Sequence, residues 1–93
     1  MNKLTVKITR VMKQDLNRMA RRGKDLVKLD PIILSLVKDK ALDSRYRDHA
    51  LKGSWYNYRE CHIEPDWLLI YKISSPFLYL VRTGTHSDLF KQK

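Results

Sequence analysis

In 93 residues, nineteen Lys and Arg stand against ten Asp and Glu, a formal net charge of +9, which points to one domain (1–93) with a polyanionic partner, nucleic acid ahead of an anionic membrane. No apolar run reaches the ~20 residues of a spanning helix, and Met1-Asn2-Lys3-Leu4-Thr5 alternates where a signal peptide would begin, so a cytoplasmic protein without membrane attachment is expected. A single cysteine, Cys61, excludes an internal disulfide and a cysteine-rich zinc site.

Lys3 to Ile8 sets Leu4, Val6 and Ile8 against Lys3, Thr5 and Lys7, the period-2 pattern of a strand. Thr9 can cap a helix from Arg10 to about Arg22, which Gly23 ends in a left-handed conformation. Met12, Leu16, Met19 and Ala20 form its apolar stripe, and Arg10, Lys13, Arg18, Arg21 and Arg22 its charged face. Leu26 to Lys38 is a second helical segment that turns Leu26, Leu29, Ile33, Leu36 and Val37 to the core. With Asp30 capping Pro31, it is either one kinked helix or a short turn followed by a helix. The two helices form a hairpin.

Residues 39–54 read as a connecting loop, with turn chemistry from Asp39, Asp43, Ser44, Asp48 and Gly53. Loops of that length are often functional. Trp55 to Ile63, Trp67 to Ile73 and Phe77 to Thr83 are three strands joined by Glu64-Pro65-Asp66 and Ser74-Ser75-Pro76, an antiparallel meander. Gly84 ends the last strand, and Thr85 to Phe90 is a helical turn or tail. The order β-α-α-β-β-β predicts a small α+β fold. Its helix hairpin packs on one face of a mainly antiparallel four-stranded sheet, and the other face is left open and basic.

The stretch Glu60-Cys61-His62-Ile63-Glu64-Pro65-Asp66-Trp67 reads as strand, tight turn, strand, and brings His62 and Asp66 within reach of each other. A histidine and a carboxylate so held can exchange a proton; they can equally be surface residues of an ordinary hairpin. The remaining histidines, His49 in the long loop and His86 in the C-terminal turn, can converge with His62 at one edge of the open face. Arg82 lies just ahead of His86, and Lys52, Trp67 and Phe90 are near by in sequence. Two chemistries fit such a set. Histidines with a carboxylate can ligate zinc, although the spacing matches no H-x-x-x-H or comparable motif. Acid–base cleavage of RNA needs a base for the 2′-hydroxyl proton, a cation for the phosphate and an acid for the leaving 5′-oxygen. Histidine serves as either acid or base, Arg82 offers a bidentate phosphate contact, and Trp67 and Phe90 can stack bases.

Asp48-His49-Ala50-Leu51-Lys52-Gly53-Ser54-Trp55, Arg59 to Trp67, and Arg82-Thr83-Gly84-Thr85-His86-Ser87-Asp88-Leu89-Phe90 resemble, in this order, three signature blocks of the YafQ toxins. These belong to the RelE/ParE superfamily of type II toxin–antitoxin systems. The resemblance runs through residues 46–90, and the helical first half agrees in length and order. It implies a RelE-like toxin that is a ribosome-dependent mRNA endoribonuclease. Such a toxin enters the A site of the 30S subunit and cuts the codon there by 2′-hydroxyl attack, with no metal and no cofactor. It also implies a cognate antitoxin, and binding to operator DNA only as the toxin–antitoxin complex. Carried over by position, His49, His62, Asp66, Arg82 and His86 are the catalytic residues. His86 would be the general acid, Asp66 with His62 the base side, His49 an assistant and Arg82 the phosphate stabiliser. Lys52, Glu60, Trp67 and Phe90 are substrate-facing positions. Glu60 stands where some relatives carry Asp, and Pro31 is not a family feature. The alternatives are a non-catalytic basic module for RNA, the ribosome or DNA, and a gyrase-inhibiting toxin of the ParE branch, which shares the fold but is not built around the His/Asp/Arg/His set.

Overall fold

A computed structural model describes residues 3–90. Its elements are β1 (Thr5–Ile8), α1 (Arg10–Arg21), α2 (Asp30–Val37), β2 (His49–Ala50), β3 (Arg59–Glu64), β4 (Trp67–Ser74), β5 (Phe77–Gly84) and α3 (His86–Leu89). Single 3₁₀ turns at Leu26–Leu29, Ser44–Tyr46 and Gly53–Trp55 punctuate the connections. The expected α+β class holds, with one more strand than the four expected. The sheet runs β1-β5-β4-β3-β2; β1 lies parallel to β5, and every other pairing is antiparallel.

Local chemistry sets the ends of α1. Thr9 Oγ1 accepts the Met12 N–H at 2.9 Å and donates to the Val81 carbonyl at 2.8 Å, so one side chain both caps the helix and ties it to β5. At the other end Gly23 sits at φ +85°. Its N–H reaches the Ala20 carbonyl, and the Lys24 N–H reaches that of Met19, both at 3.0 Å. That is a Schellman closure, which needs a residue free of a Cβ penalty at this position. The second helical segment resolves into a 3₁₀ turn followed by α2. Asp25, not Asp30, supplies the side-chain cap, accepting the Val27 N–H at 3.1 Å, while Asp30 is already helical and Pro31 occupies the first turn.

The core lies between the helices and the sheet, built on Met12, Met19, Leu29, Leu36, Trp67, Leu69 and Tyr71. Four expectations are corrected here. In β1 only Leu4, just ahead of the strand, is buried; Val6 and Ile8 are exposed because β1 is an edge strand. In α1 Ala20 is exposed, and Asp15 takes the buried position that continues the stripe. In α2 Ile32 is the fully buried isoleucine and Ile33 only partly so, because the 3₁₀ turn shifts the helical phase. The second sheet face is not open: Leu68, Ile70 and Leu89 form a smaller core there, covered by Trp55, Tyr58 and Phe90. β4 is therefore buried on both faces from Trp67 to Tyr71.

The expected long loop carries β2 and two of the 3₁₀ turns. β3 begins at Arg59 and not at Trp55, because Gly53–Trp55 coils and Asn57 takes φ +82°. Asp48 anchors the segment to the sheet, accepting the Tyr71 hydroxyl at 2.6 Å and Arg59 Nε at 3.3 Å.

Candidate active site

Sheet register assembles the site. His49 pairs with Glu60, Glu60 with Ile70, and Ile70 with Arg82, so these four positions make one row across the sheet. His62, two residues along from Glu60, points to the same face and pairs with Leu68, which pairs with Gly84. These two neighbouring rows and the start of α3 bring the three histidines together: ring centroids are 6.2 Å apart for His49 and His62, and 5.8 Å for His62 and His86. His62 is the middle of the array.

Two carboxylates serve it. Glu60 is 5% exposed. One of its oxygens lies 3.1 Å from His49 Nε2 and 3.4 Å from His62 Nε2, so it bridges two rings. His49 is held on its other side too, with Nδ1 2.8 Å from the Arg47 carbonyl. Arg47 presents that carbonyl from a left-handed conformation, φ +51°.

Asp66 is the second carboxylate, and it does not pair with His62. Its Oδ1 accepts the main-chain N–H of His86 at 2.9 Å and lies 2.6 Å from His86 Nδ1. The two-residue turn at Pro65-Asp66 aims the carboxylate at the neighbouring β5–α3 corner and away from its own strand. These bonds from His86 hold Asp66 below the usual carboxylate range. A proton on His86 Nδ1 is directed at Asp66, and Nε2 is left outside that contact.

His86 opens α3, and that four-residue helix is fixed from both sides. Thr85 and Asp88 form a reciprocal capping box, with bonds of 3.1 and 2.9 Å. Arg22, at the end of α1, grips Asp88 through two bonds of 2.6 and 3.0 Å. The ion pair holds the Asp88 carboxyl far below its ordinary value. Gly84 is required here for close approach: a Cβ on it would stand 2.9 Å from both Cβ and Oδ2 of Asp88.

Arg82 lies in the His49–Glu60 row, with its guanidinium turned to Asp15 of α1. Nε and Nη2 meet the two carboxylate oxygens at 2.8 and 2.9 Å. Asp15, 1% exposed, also takes Arg18 Nη2 at 2.6 Å and the Thr83 N–H at 3.1 Å. The pair uses Nε and one N–H of Nη2, so the other guanidinium N–H groups of Arg82 are not taken by Asp15.

Of the substrate-facing positions, Lys52 is exposed at the start of a 3₁₀ turn, and Phe90 is half-buried, edge-on to Trp55 with centroids 6.1 Å apart. Trp67 is corrected. It is fully buried on the helix side of the sheet, and its Nε1–H donates to Thr83 Oγ1 at 2.9 Å. It packs the core and cannot stack a base. Glu60 is corrected as well, being a buried bridge between two histidines.

Asp15, the Arg22–Asp88 clamp and the Arg47 carbonyl were not found by sequence reasoning. A signal existed for the first: Met12, Asp15, Leu16 and Met19 follow helical spacing, and an acid inside an apolar stripe asks for a buried partner. Cys61 lies under the site in the core, its thiol pushed up to about 12 mainly by burial, and takes no part in acid–base chemistry. Among the described residues, no group of three or more His, Cys, Asp and Glu is arranged to hold a metal ion.

Residues 4–91 match the family described as the bacterial toxin of type II toxin–antitoxin systems, YafQ. The mRNA interferase toxin YafQ of Escherichia coli K12 is 44% identical over 78 residues, which is 83% of this chain and 85% of that protein. In the E. coli DinJ–YafQ toxin–antitoxin complex, the structurally similar chain superposes with a TM-score of 0.87 at 38% identity, covering 95% of this chain and 98% of that one. A copper-bound mutant toxin from Helicobacter pylori gives a TM-score of 0.90 at 40% identity, over 94% of this chain and 99% of that one.

Proposed function

The chain belongs to the YafQ family of bacterial type II toxin–antitoxin toxins, and on that premise we propose that it is an mRNA interferase that cuts mRNA in the ribosomal A site by metal-independent acid–base chemistry and so stops translation. The observation that carries this reading is the array of three histidine rings between Glu60 and Asp66 on one sheet face.

The geometry supports a division of roles. His62, backed by Glu60, takes the proton from the 2′-hydroxyl, and the freed oxygen attacks phosphorus. His86, its imidazolium stabilised by Asp66, passes the Nε2 proton to the 5′-oxygen as the P–O5′ bond breaks. The products are a 2′,3′-cyclic phosphate and a 5′-hydroxyl. Arg82, oriented by Asp15, and His49 neutralise the crowded phosphate. Asp66 thus acts with the acid, where the sequence grouped it with the base. A positioned acid and base of this type contribute roughly 10²–10⁴-fold each.

The basic surface supports a polyanion substrate, with a net charge of +9 over the chain. A cognate antitoxin is the expected protein partner, as DinJ is for the E. coli toxin. Operator DNA is engaged only by that complex, and the toxin works in the cytoplasm; no helix among the described residues is long and apolar enough to cross a membrane.

The test is induced expression followed by mapping of mRNA ends, in the wild type and in His86→Gln. New ends inside codons, bearing cyclic or 3′-phosphate, are expected in the wild type and absent in the variant. They should also require ribosomes in a purified system. Tight RNA binding with intact transcripts would instead make the protein a binding module.

A further inference from the structure

His62 belongs to two places at once. One is the histidine array; the other is a cleft of about 460 Å³ that runs from His62 and Pro65 past the 3₁₀ turn Ser44–Tyr46 toward α2. Three cations line it, Lys28, Arg45 and Arg47. Its one acid, Glu64, is already answered by Lys24 at 2.7 Å and Lys28 at 2.8 Å. Arg45 and Arg47 have no carboxylate partner among the described residues.

The cleft is shaped as well as charged. Arg45 lies over the Tyr46 ring, its guanidinium carbon 4.8 Å from the centroid, with Nη2 donating to the Tyr46 hydroxyl at 3.0 Å. A guanidinium stacked this way keeps N–H groups directed at its rim, the arrangement that meets a phosphate oxygen. Asp43 fixes the turn by accepting the Arg45 N–H at 2.9 Å. Arg47 is held by its left-handed backbone, with its carbonyl spent on His49, and it lines the cleft. One short segment therefore positions a histidine of the array and walls the cleft beside it.

We propose that this cleft is a second RNA subsite, which holds the sugar–phosphate backbone of the nucleotides adjoining the cleavage point on the same strand, with Arg45 and Arg47 on phosphates and Tyr46 beside a base or ribose. The proposal rests on the reading of the protein as a ribonuclease and adds to it the path of the strand. A strand whose scissile phosphate lies between His62 and His86 runs on past His62 directly into the cleft. Two phosphates held there raise affinity for long strands and contribute nothing to a dinucleotide.

The experiment compares Arg45→Gln/Arg47→Gln with Lys13→Gln/Arg21→Gln, which removes the same charge from the exposed face of α1. Binding of uncleavable 2′-O-methyl RNA is measured for a hexanucleotide and for the dinucleotide at its centre. Because His49 is held by a main-chain carbonyl, these replacements leave that contact in place. The cleft variant is expected to bind the hexanucleotide about tenfold more weakly, with a log–log salt slope lower by about 1.4, and to bind the dinucleotide as the wild type does. The α1 variant should keep nearly all its hexanucleotide affinity. Equal losses in both variants, or no loss in either, overturn the subsite. So does unchanged hexanucleotide binding combined with weaker binding to 70S ribosomes, which would turn the cleft toward ribosomal RNA. If the wild type leaves ribosome-bound mRNA uncut, the ribonuclease reading itself fails; cut mRNA with unaltered hexanucleotide binding sinks the subsite alone.

Discussion

Asp15→Asn keeps the volume of the side chain and removes its charge. In the native protein that carboxylate, 1% exposed, receives Arg18, both donors of Arg82 and the Thr83 main-chain N–H. An amide in its place can still accept at one oxygen but turns an NH₂ group toward donors. It leaves the Arg82 charge unpaired and a buried N–H with a weaker acceptor or none. Removing one partner of a buried ion pair costs ~3–5 kcal/mol. The Arg82 side chain is 25% exposed and can turn partly to water, which puts the expected loss at about 3 kcal/mol. With a urea m-value near ~1.3 kcal/mol/M for a domain this small, the midpoint should fall by ~2 M. Trp67, fully buried, reports the transition by fluorescence. Arg82→Met should cost a similar amount, and the double variant less than the sum, since each single change orphans the other's partner. A loss below ~0.5 kcal/mol, or simple additivity in the double variant, would refute the view that Asp15 and Arg82 form one unit.

Gly84→Ala drives a methyl group to 2.9 Å from Asp88. It should cost ~1–3 kcal/mol and displace His86, so mRNA cleavage falls more than urea stability alone explains. Trp67→Phe loses the bond to Thr83 and some packing, for about 1–2 kcal/mol. Cleavage per folded molecule should be unchanged, and a selective loss of activity would restore Trp67 to the RNA surface. Asp88 and Glu64 both have carboxyls held low, by Arg22 and by the Lys24 and Lys28 pair. A folded pKa below the unfolded one means that their stabilisation is complete above about pH 5 and is lost as pH falls below ~4. Urea midpoints measured from pH 7 to 2.5 should drop along that limb, less steeply in Asp88→Asn; identical limbs would contradict the Arg22–Asp88 pairing.

Features decided within a few residues could be read directly from the chain. Thr9 and Gly23 bracket α1 because capping and a left-handed stop are local demands. The meander of β3, β4 and β5 follows from alternation and two tight connections. What depends on distant partners could not be read. β1 finds its parallel partner in β5, some seventy residues away in sequence. β2, two residues long, exists only because β3 is there to pair with it. In the site, the identities of His49, His62, Asp66, Arg82 and His86 came from residue type and family resemblance, whereas their pairings depend on how the turns aim them. Pro65-Asp66 delivers its carboxylate across the corner to His86, and Glu60 sits buried where one oxygen meets both His49, its partner across the sheet, and His62, two residues along its own strand. Trp67 misled because an aromatic at the first position of a strand looks the same in sequence on either face of the sheet.

The array is built on two foundations of different firmness. His62 and Glu60 rise from β3 against β4, a strand walled in on both faces from Trp67 to Tyr71. His49 and the Arg45–Arg47 wall hang from a two-residue strand and a single 3₁₀ turn at the sheet's edge. In amide-exchange terms, protons at Leu69 and Ile70 should wait for global unfolding, while those from Arg45 to Ala50 exchange through small local openings. The His62–Glu60 side of the array is thus as durable as the molecule, and its outer wall can be shed and regained without unfolding. Whatever seals or loosens that wall rearranges the outer part of the histidine array at a cost far below the free energy of folding.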